Sequence, residues 1–413
     1  MKYAHLADLH LGSWRDQKMR DLSTNSFLKA IDLCVNDKVD FILFAGDLFN
    51  TSLPPLDILK IVTKKLKELQ EKNIPLYVIA GSHDFSPSGK TMIDVLENAG
   101  LLINVCKGSI NEESRELHLN FTIDPKTQTK ITGILGRKGQ LDKGYYQSLH
   151  RTNLEKESGY KIFLFHTTIA ELLPNDMAMI DSQPVTFLPQ HFNYYAGGHI
   201  HHPNLISLPG YLAVAYPGAL FPNNFQEFEK YGKGGFYIID YDRQTNKQEE
   251  RWIPLDIIRH EGLNLSCNHK SPEVITYELL NHFSTKNLHD TVVTIRLKGT
   301  LSSGRVSDIN FKQIIEQLYF QGAYFVMKNT AKLQSEEFEE IQLSTTDPQI
   351  IEDNIIKEHL QQIKIFDYDT ELNLTKNLLN SLNTIKKEGE TITDFQRRIE
   401  EEIEKIIQYD KNN

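Results

Sequence analysis

Five short stretches of this chain set side chains that can hold a cation or move a proton at the ends of apolar runs. "ADLHLG" carries Asp8 and His10, "AGDLFN" carries Asp47, and "AGSHD" carries Ser82, His83 and Asp84. "FLFHTT" adds His166, and "GGHIHHP" adds His199 and His201. Residues two apart in extended chain face the same way, so Asp8 pairs with His10 and His199 with His201, while His202 turns aside. Carboxylate with imidazole suits Mn²⁺, Fe²⁺ or Zn²⁺, whereas Mg²⁺ prefers oxygen alone. Two such ions roughly 3.5–4 Å apart need a bridging oxygen ligand, which a carboxylate such as Asp47 can supply. Taken singly, each stretch also reads as a capped turn. All five together, each at a strand end, exceed what turn capping requires.

The elements that must hold these residues follow from periodicity. "KYAHLA", "DFILFAG" and "PLYVIAG" are short aliphatic runs separated by amphipathic helical patterns, the layout of a layered α/β domain. Further strands are expected at "LHLNFTI", "TKITGILG", "KIFLFH", "YYAGG", "YLAVAYPG" and "GGFYIIDYD", with "RWIPL" closing a first domain at residue 255. In layered α/β folds, loops at the carboxyl ends of strands converge although they are distant in sequence. A small α+β module is expected over 256–335, from helix "SPEVITYELLNHFS", strand "TVVTIRLKG", helix "DINFKQIIEQLYF" and strand "AYFVMKN". "QSEEFEE" reads as a charge-rich linker into a helical tail over 336–413. There Phe395, Ile399, Ile403 and Ile406 form one apolar helical stripe.

Composition sets the class. A chain of 413 residues, 40% apolar and 24% charged, is that of a soluble protein of two or three domains. No run is apolar for long enough to span a bilayer, and Asp8 and His10 break any signal-peptide pattern. Three scattered cysteines, Cys34, Cys106 and Cys267, point to a reducing cytoplasm and away from a thiolate metal site. Residues 335–413 hold 19 acidic and 9 basic residues, which accounts for the whole net charge of −10. Residues 1–334 are therefore balanced, and any polyanion must be met by local patches.

In series, D-x-H, G-D-x-F, a G-N-H-D-like "GSHD", a lone His and G-H-x-H resemble the calcineurin-like metallophosphoesterases. With the small following module and the helical acidic tail, they resemble more narrowly the SbcD-type nuclease subunit of double-strand-break repair. The resemblance implies a metallophosphoesterase β-sandwich flanked by helices, with a small α+β cap. It implies that Asp8, His10 and His201 hold one metal, that Asp47 bridges, and that His166 and His199 hold a second, with Mn²⁺ preferred. His83 would protonate the leaving oxygen, with Asp84 orienting it. Where the family has asparagine as a ligand, this chain has Ser82. Three outcomes follow: the hydroxyl binds directly, a water fills the gap, or the second metal is weakly held. A fourth is a silent DNA-end-binding scaffold.

Backbone phosphates of DNA would be met by Trp14, Arg15, Lys18 and Arg20, by Arg137, Lys138 and Lys143, and by Arg296, Lys298 and Arg305. Each of these also reads as ordinary charged surface. Leu56, Leu59, Ile61 and Val62 are many apolar residues for a surface helix, and the resemblance implies homodimerisation near here. They equally fit a helix that only covers the sheet. The tail stripe either binds the coiled coil of an SMC-like ATPase, as the resemblance implies, or packs on its own chain. His5, His191 and His202 lie off the motif pattern and read as structural. A phosphodiesterase acting on small substrates is the rival enzyme, and a module over 256–335 argues against it.

Overall fold

The computed structural model describes residues 1–85, 89, 91–174, 177, 179–335, 356–357, 360, 366–387 and 390–410. The linker reading at 336–340 lies outside the described residues. The chain divides into two compact units, the first made of Met1–Ser266, Thr276–Lys298 and Asn310–Lys332. The second takes Cys267–Ile275, Gly299–Ile309 and Leu333–Asn413, so both units draw on the stretch expected to form a module of its own. Among the described residues no helix is long and apolar enough to cross a membrane.

The first unit is built on two six-stranded sheets. One runs Lys247–Pro254, Gly235–Asp242, Lys2–Leu6, Phe41–Ala45, Leu76–Ile79 and Ile103–Asn104 across its width. The other runs Asn204–Leu208, Tyr211–Tyr216, Tyr194–Gly198, Lys161–His166, Lys130–Ile134 and Thr122–Ile123. Lys2–Leu6, Phe41–Ala45 and Leu76–Ile79 pair in parallel, as do Lys130–Ile134, Lys161–His166 and Tyr194–Gly198. Strand alternation sorts their side chains into layers. Phe41, Leu43 and Ala45 join Tyr3, Ile162, Leu164 and Tyr194 in a core between the sheets. Ile42 and Phe44 face the other way, onto Phe27, Ile31, Val62 and Leu66 of the covering helices Gln17–Asn36 and Leu56–Glu71. Phe163 and Phe165 pack outward onto Tyr146, Leu149 and Leu154. The expected helix-flanked β-sandwich is what the chain forms.

His5 sits inside this sandwich, fully buried, with Nε2 donating to the Gly197 carbonyl (3.2 Å) and Nδ1 accepting from the Tyr194 hydroxyl (2.9 Å). It is structural, as read. Val62 is wholly buried in the core, which removes it from any dimer surface. Leu59 and Ile61 are half-buried, and Leu56 is 82% exposed. The second half of the chain adds a three-stranded sheet of Arg259–Ser266, Thr291–Leu301 and Ala323–Ser335, with helices Pro272–Phe283 and Phe311–Phe320. In the second unit, helices Tyr368–Leu382 and Ile392–Asp410 lie against each other, and the stripe of Phe395, Ile399, Ile403 and Ile406 is half-buried.

Candidate metal centre

The parallel strands deliver their carboxyl ends to one place. Asp8 follows Lys2–Leu6, Asp47 follows Phe41–Ala45, and His83 follows Leu76–Ile79. In the second sheet His166 ends its strand and His199 follows Tyr194–Gly198. Backbone bonds tie the loops together: Asp8 N–H donates to Gly46 O (3.2 Å) and His10 N–H to Asp47 O (3.0 Å). His199 N–H donates to both carboxylate oxygens of Asp8, at 2.9 and 3.0 Å, which links the two sheets at the site. Asp8, His10, Asp47 and His199 all have positive φ, between 42° and 88°, a region costly for side chains larger than glycine.

Three overlapping groups of ligand-capable atoms result: Asp8–His10–His201, His10–Asp47–His83 and Asp8–Asp47–His166. Asp47 Oδ2 lies 3.3 Å from His166 Nε2 and 3.6 Å from His10 Nε2, while its Oδ1 accepts from His83 N–H at 2.8 Å. His166 and His199 rings meet edge to face at 5.2 Å. Ser82 is buried, with Oγ 3.5 Å from Asp47 Oδ2, and it lines a cavity of about 370 Å³ together with His83, His166 and His199. The packing admits no larger residue: an ideal Cβ on Gly46 would lie 2.3 Å from His166 Nδ1, and one on Gly81 2.3 Å from Asp47 Oδ1.

The donor atoms fit a cation. Nδ1 of His166 donates to the Ala45 carbonyl at 2.8 Å, which leaves Nε2 as the free donor atom. That Nε2 is buried, facing a carboxylate oxygen of Asp47 3.3 Å away. Two lone pairs so placed repel unless a proton or a metal lies between them. Without metal a proton takes that position: burial opposes it, yet Asp47 raises His166 to about 10. Burial likewise works against ionised Asp47, but His166 and His10 hold it well below the ordinary carboxylate range. Burial pushes Asp8 up to about 6 and keeps His10 near 3 and His199 near 4, so these imidazoles are neutral and able to ligate.

His201 shows the same logic through a residue that sequence reading missed. Its Nδ1 donates to Glu227 Oε1 at 2.8 Å, leaving Nε2 only 3.1 Å from His10 Nε2. Glu227 is in turn held by Asn223 N–H (2.8 Å) and Asn224 Nδ2 (2.7 Å), and Asn224 caps the helix Phe225–Tyr231. The N-x-x-E pattern at 224–227 announces a helix start. Nothing in it announces a contact with a histidine 26 residues away. Such outer carboxylates fix the tautomer and orientation of a ligating imidazole.

One expected role changes. Asp84 does not orient His83: its oxygens accept from Gly81 N–H (2.8 Å) and Phe49 N–H (3.2 Å), stitching two strand-end loops. The carbonyl of Asn50 accepts from His83 Nδ1 at 2.9 Å instead, so the backbone group of the residue just after "GDLF" does that work.

Of the expected DNA contacts, Arg137 and Lys138 line the 370 Å³ cavity, with Arg137 also over the Phe85 ring. Lys298 lines a second cavity, of about 770 Å³, on the side of His199 and His201. Arg296 reaches that cavity too, but its Nε is bound to both oxygens of Glu229 at 2.7 and 2.8 Å, so its charge is already paired. Trp14 is half-buried, its indole donating to Pro222 O and resting on Phe228. Lys18 donates to Tyr324 O and Arg20 to Gln17, while Arg15 is exposed. Lys143 begins the short helix Lys143–Gln147, and Arg305 lies in the second unit.

Residues 1–203 match the family model of the calcineurin-like phosphoesterases. The chain thus carries a calcineurin-like phosphoesterase domain over just under half its length, and with it the chain is a metal-dependent phosphodiesterase. Among its relatives is the DNA double-strand break repair protein Mre11 of Methanococcus maripaludis, 28% identical over 77% of this chain and 79% of that one. The Mre11 of Sulfurisphaera tokodaii is 26% identical over 99% and 97%. An uncharacterized metallophosphoesterase of Bacillus subtilis, YhaO, is 25% identical over 58% and 57%. The narrower resemblance to the SbcD type is borne out by the Mre11 relatives.

Proposed function

We propose that this phosphoesterase is a two-metal DNA nuclease of double-strand-break repair, with 3′-to-5′ exonuclease and endonuclease activity. The observation that carries the reading is the convergence of carboxylates and imidazoles on one point, with buried His166 Nε2 facing Asp47 Oδ2 at 3.3 Å. Relatives named for DNA double-strand break repair, matching 77% and 99% of this chain, support the substrate.

In this reading Asp8, His10 and His201 would hold one Mn²⁺, Ser82, His166 and His199 would hold a second, and Asp47 would serve both. When bound, the ions supply Lewis-acid chemistry, acidifying a water for attack at phosphorus and offsetting charge on the phosphoryl oxygens. The protein's own work is positioning. His199 N–H fixes Asp8, and Glu227 fixes His201 with Nε2 toward the cluster. His83 donates Nδ1–H to Asn50 O, so in its doubly protonated form it can pass the Nε2 proton to the leaving oxygen and remain a neutral imidazole. Arg137, Lys138 and Lys298 take the flanking phosphates. Those contacts carry no base information, so cleavage is sequence-tolerant.

Ser82 keeps its hydroxyl at the cluster, 3.5 Å from Asp47, which favours a working but weaker second site over a silent scaffold. The nuclease works as a cytoplasmic homodimer through the exposed start of helix Leu56–Glu71, and an SMC-like ATPase subunit docks on the C-terminal helices. Linear duplex DNA and a cyclic nucleotide, offered in parallel with Mn²⁺, test the substrate. DNA is expected to be cleaved and the small diester left nearly intact. Preference for the cyclic nucleotide would overturn the reading.

A further inference from the structure

Away from this centre, two histidines and a glutamate meet on the surface of the same unit. Glu116 Oε2 lies 3.2 Å from His150 Nδ1 and 3.9 Å from His118 Nε2. The two imidazoles stack at 4.4 Å, 16° from parallel, and the three ligand-capable atoms lie within 4.8 Å of one another. All three side chains are half-buried, about a third to under a half exposed.

The backbone beneath is fixed. Leu117 bridges in parallel with Leu149, Leu117 N–H donating to Ser148 O (2.8 Å) and His150 N–H to Leu117 O (2.9 Å). Glu116 and His118, two apart, therefore project to one side of an extended segment, with His150 beside them on its neighbour. Leu119 and Leu149 anchor both segments in the outer core with Tyr146 and Leu154. His150 precedes the helix Arg151–Lys156 yet makes no side-chain capping bond, so capping does not account for it.

We propose that Glu116, His118 and His150 form a second metal site, specific for a borderline first-row ion of the Zn²⁺ class. Two imidazoles and one carboxylate are a standard three-ligand set for Zn²⁺, with water completing the tetrahedron. Bonds of about 2.1 Å to a tetrahedral ion set ligand atoms about 3.4 Å apart. The 3.2 and 3.9 Å separations bracket that value. Drawing His118 and His150 together takes only rotation of half-exposed side chains. The bound ion staples the strand Leu117–Leu119 to the start of the helix Arg151–Lys156. It plays no part in phosphodiester cleavage, so the site stands whether or not DNA is the substrate.

The test is equilibrium dialysis of the full chain against Zn²⁺, with metal per chain read by elemental analysis. His118→Ala/His150→Ala is expected to bind one Zn²⁺ fewer than wild type while keeping its circular dichroism spectrum. Asp8→Ala/Asp47→Ala, which cripples the main cluster, is expected to retain that ion. Glu116→Gln preserves size and fold, and is expected to weaken this Zn²⁺ at least tenfold. Equal Zn²⁺ in wild type and the double-histidine variant, or an unchanged affinity in Glu116→Gln, would overturn the site.

Discussion

Asp8, His10 and Asp47 share a backbone conformation that L-residues avoid and enter one cluster, and His199, of the same conformation, sets its ring against His166 beside them. Strain at four neighbouring positions costs of order 1–3 kcal/mol each and persists only where packing enforces it. Gly46, at φ 92°, is part of that enforcement. Gly46→Ala is expected to destabilise the fold by about 2 kcal/mol or more, from the positive φ and the contact with His166 together, as read by urea denaturation. Glu227→Gln keeps an acceptor for His201 but removes the charge. It should weaken metal binding about tenfold by calorimetry and leave maximal activity recoverable at high Mn²⁺. Unchanged affinity would make Glu227 a helix cap and no more. The ligand-capable types were legible from short motifs because strand ends fix them two by two. Glu227 and the Asn50 carbonyl were not, because their partners are brought near only by the meeting of two sheets.

At the scale of elements, continuous aliphatic runs betrayed the buried strands, and their alternation fixed which core each side chain enters. Asn204–Leu208 and Arg259–Ser266 escaped notice, since both are half-exposed and mix polar with apolar residues without a clean period. The helix Leu56–Glu71 shows what pattern alone leaves open. Its apolar count was right, yet only packing separates Val62 in the core from Leu56 in solvent. Leu66→Ala, fully buried, should cost about 2–5 kcal/mol of stability. Leu56→Asp should leave stability nearly unchanged while shifting the protein from dimer to monomer in light scattering. A variant that stays dimeric would remove this helix end from the interface.

For the whole molecule, buried neutral histidines make stability depend on pH. Burial lowers His5 from 6.5 to about 3, against a smaller opposing effect of its bond to Gly197. The folded chain therefore binds fewer protons than the unfolded one between those values. Stability from His5 is full above pH 6.5 and drains away as pH falls toward 3. Replacing it, His5→Gln, should flatten the slope of unfolding free energy near pH 5 by about 1.4 kcal/mol per pH unit. An unaltered slope would mean that His5 is already protonated there. The two sheets join through Asp8 and His199 at the site where the sequence departs from its family pattern, so the decisive experiment addresses both. It is cleavage of linear duplex DNA across a Mn²⁺ titration by wild type, Asp8→Ala and Ser82→Asn. The account predicts Mn²⁺-dependent cleavage by wild type, none by Asp8→Ala, and half-maximal activity at lower Mn²⁺ in Ser82→Asn. Cleavage that survives Asp8→Ala, or a wild type inert at every Mn²⁺ concentration, would contradict it.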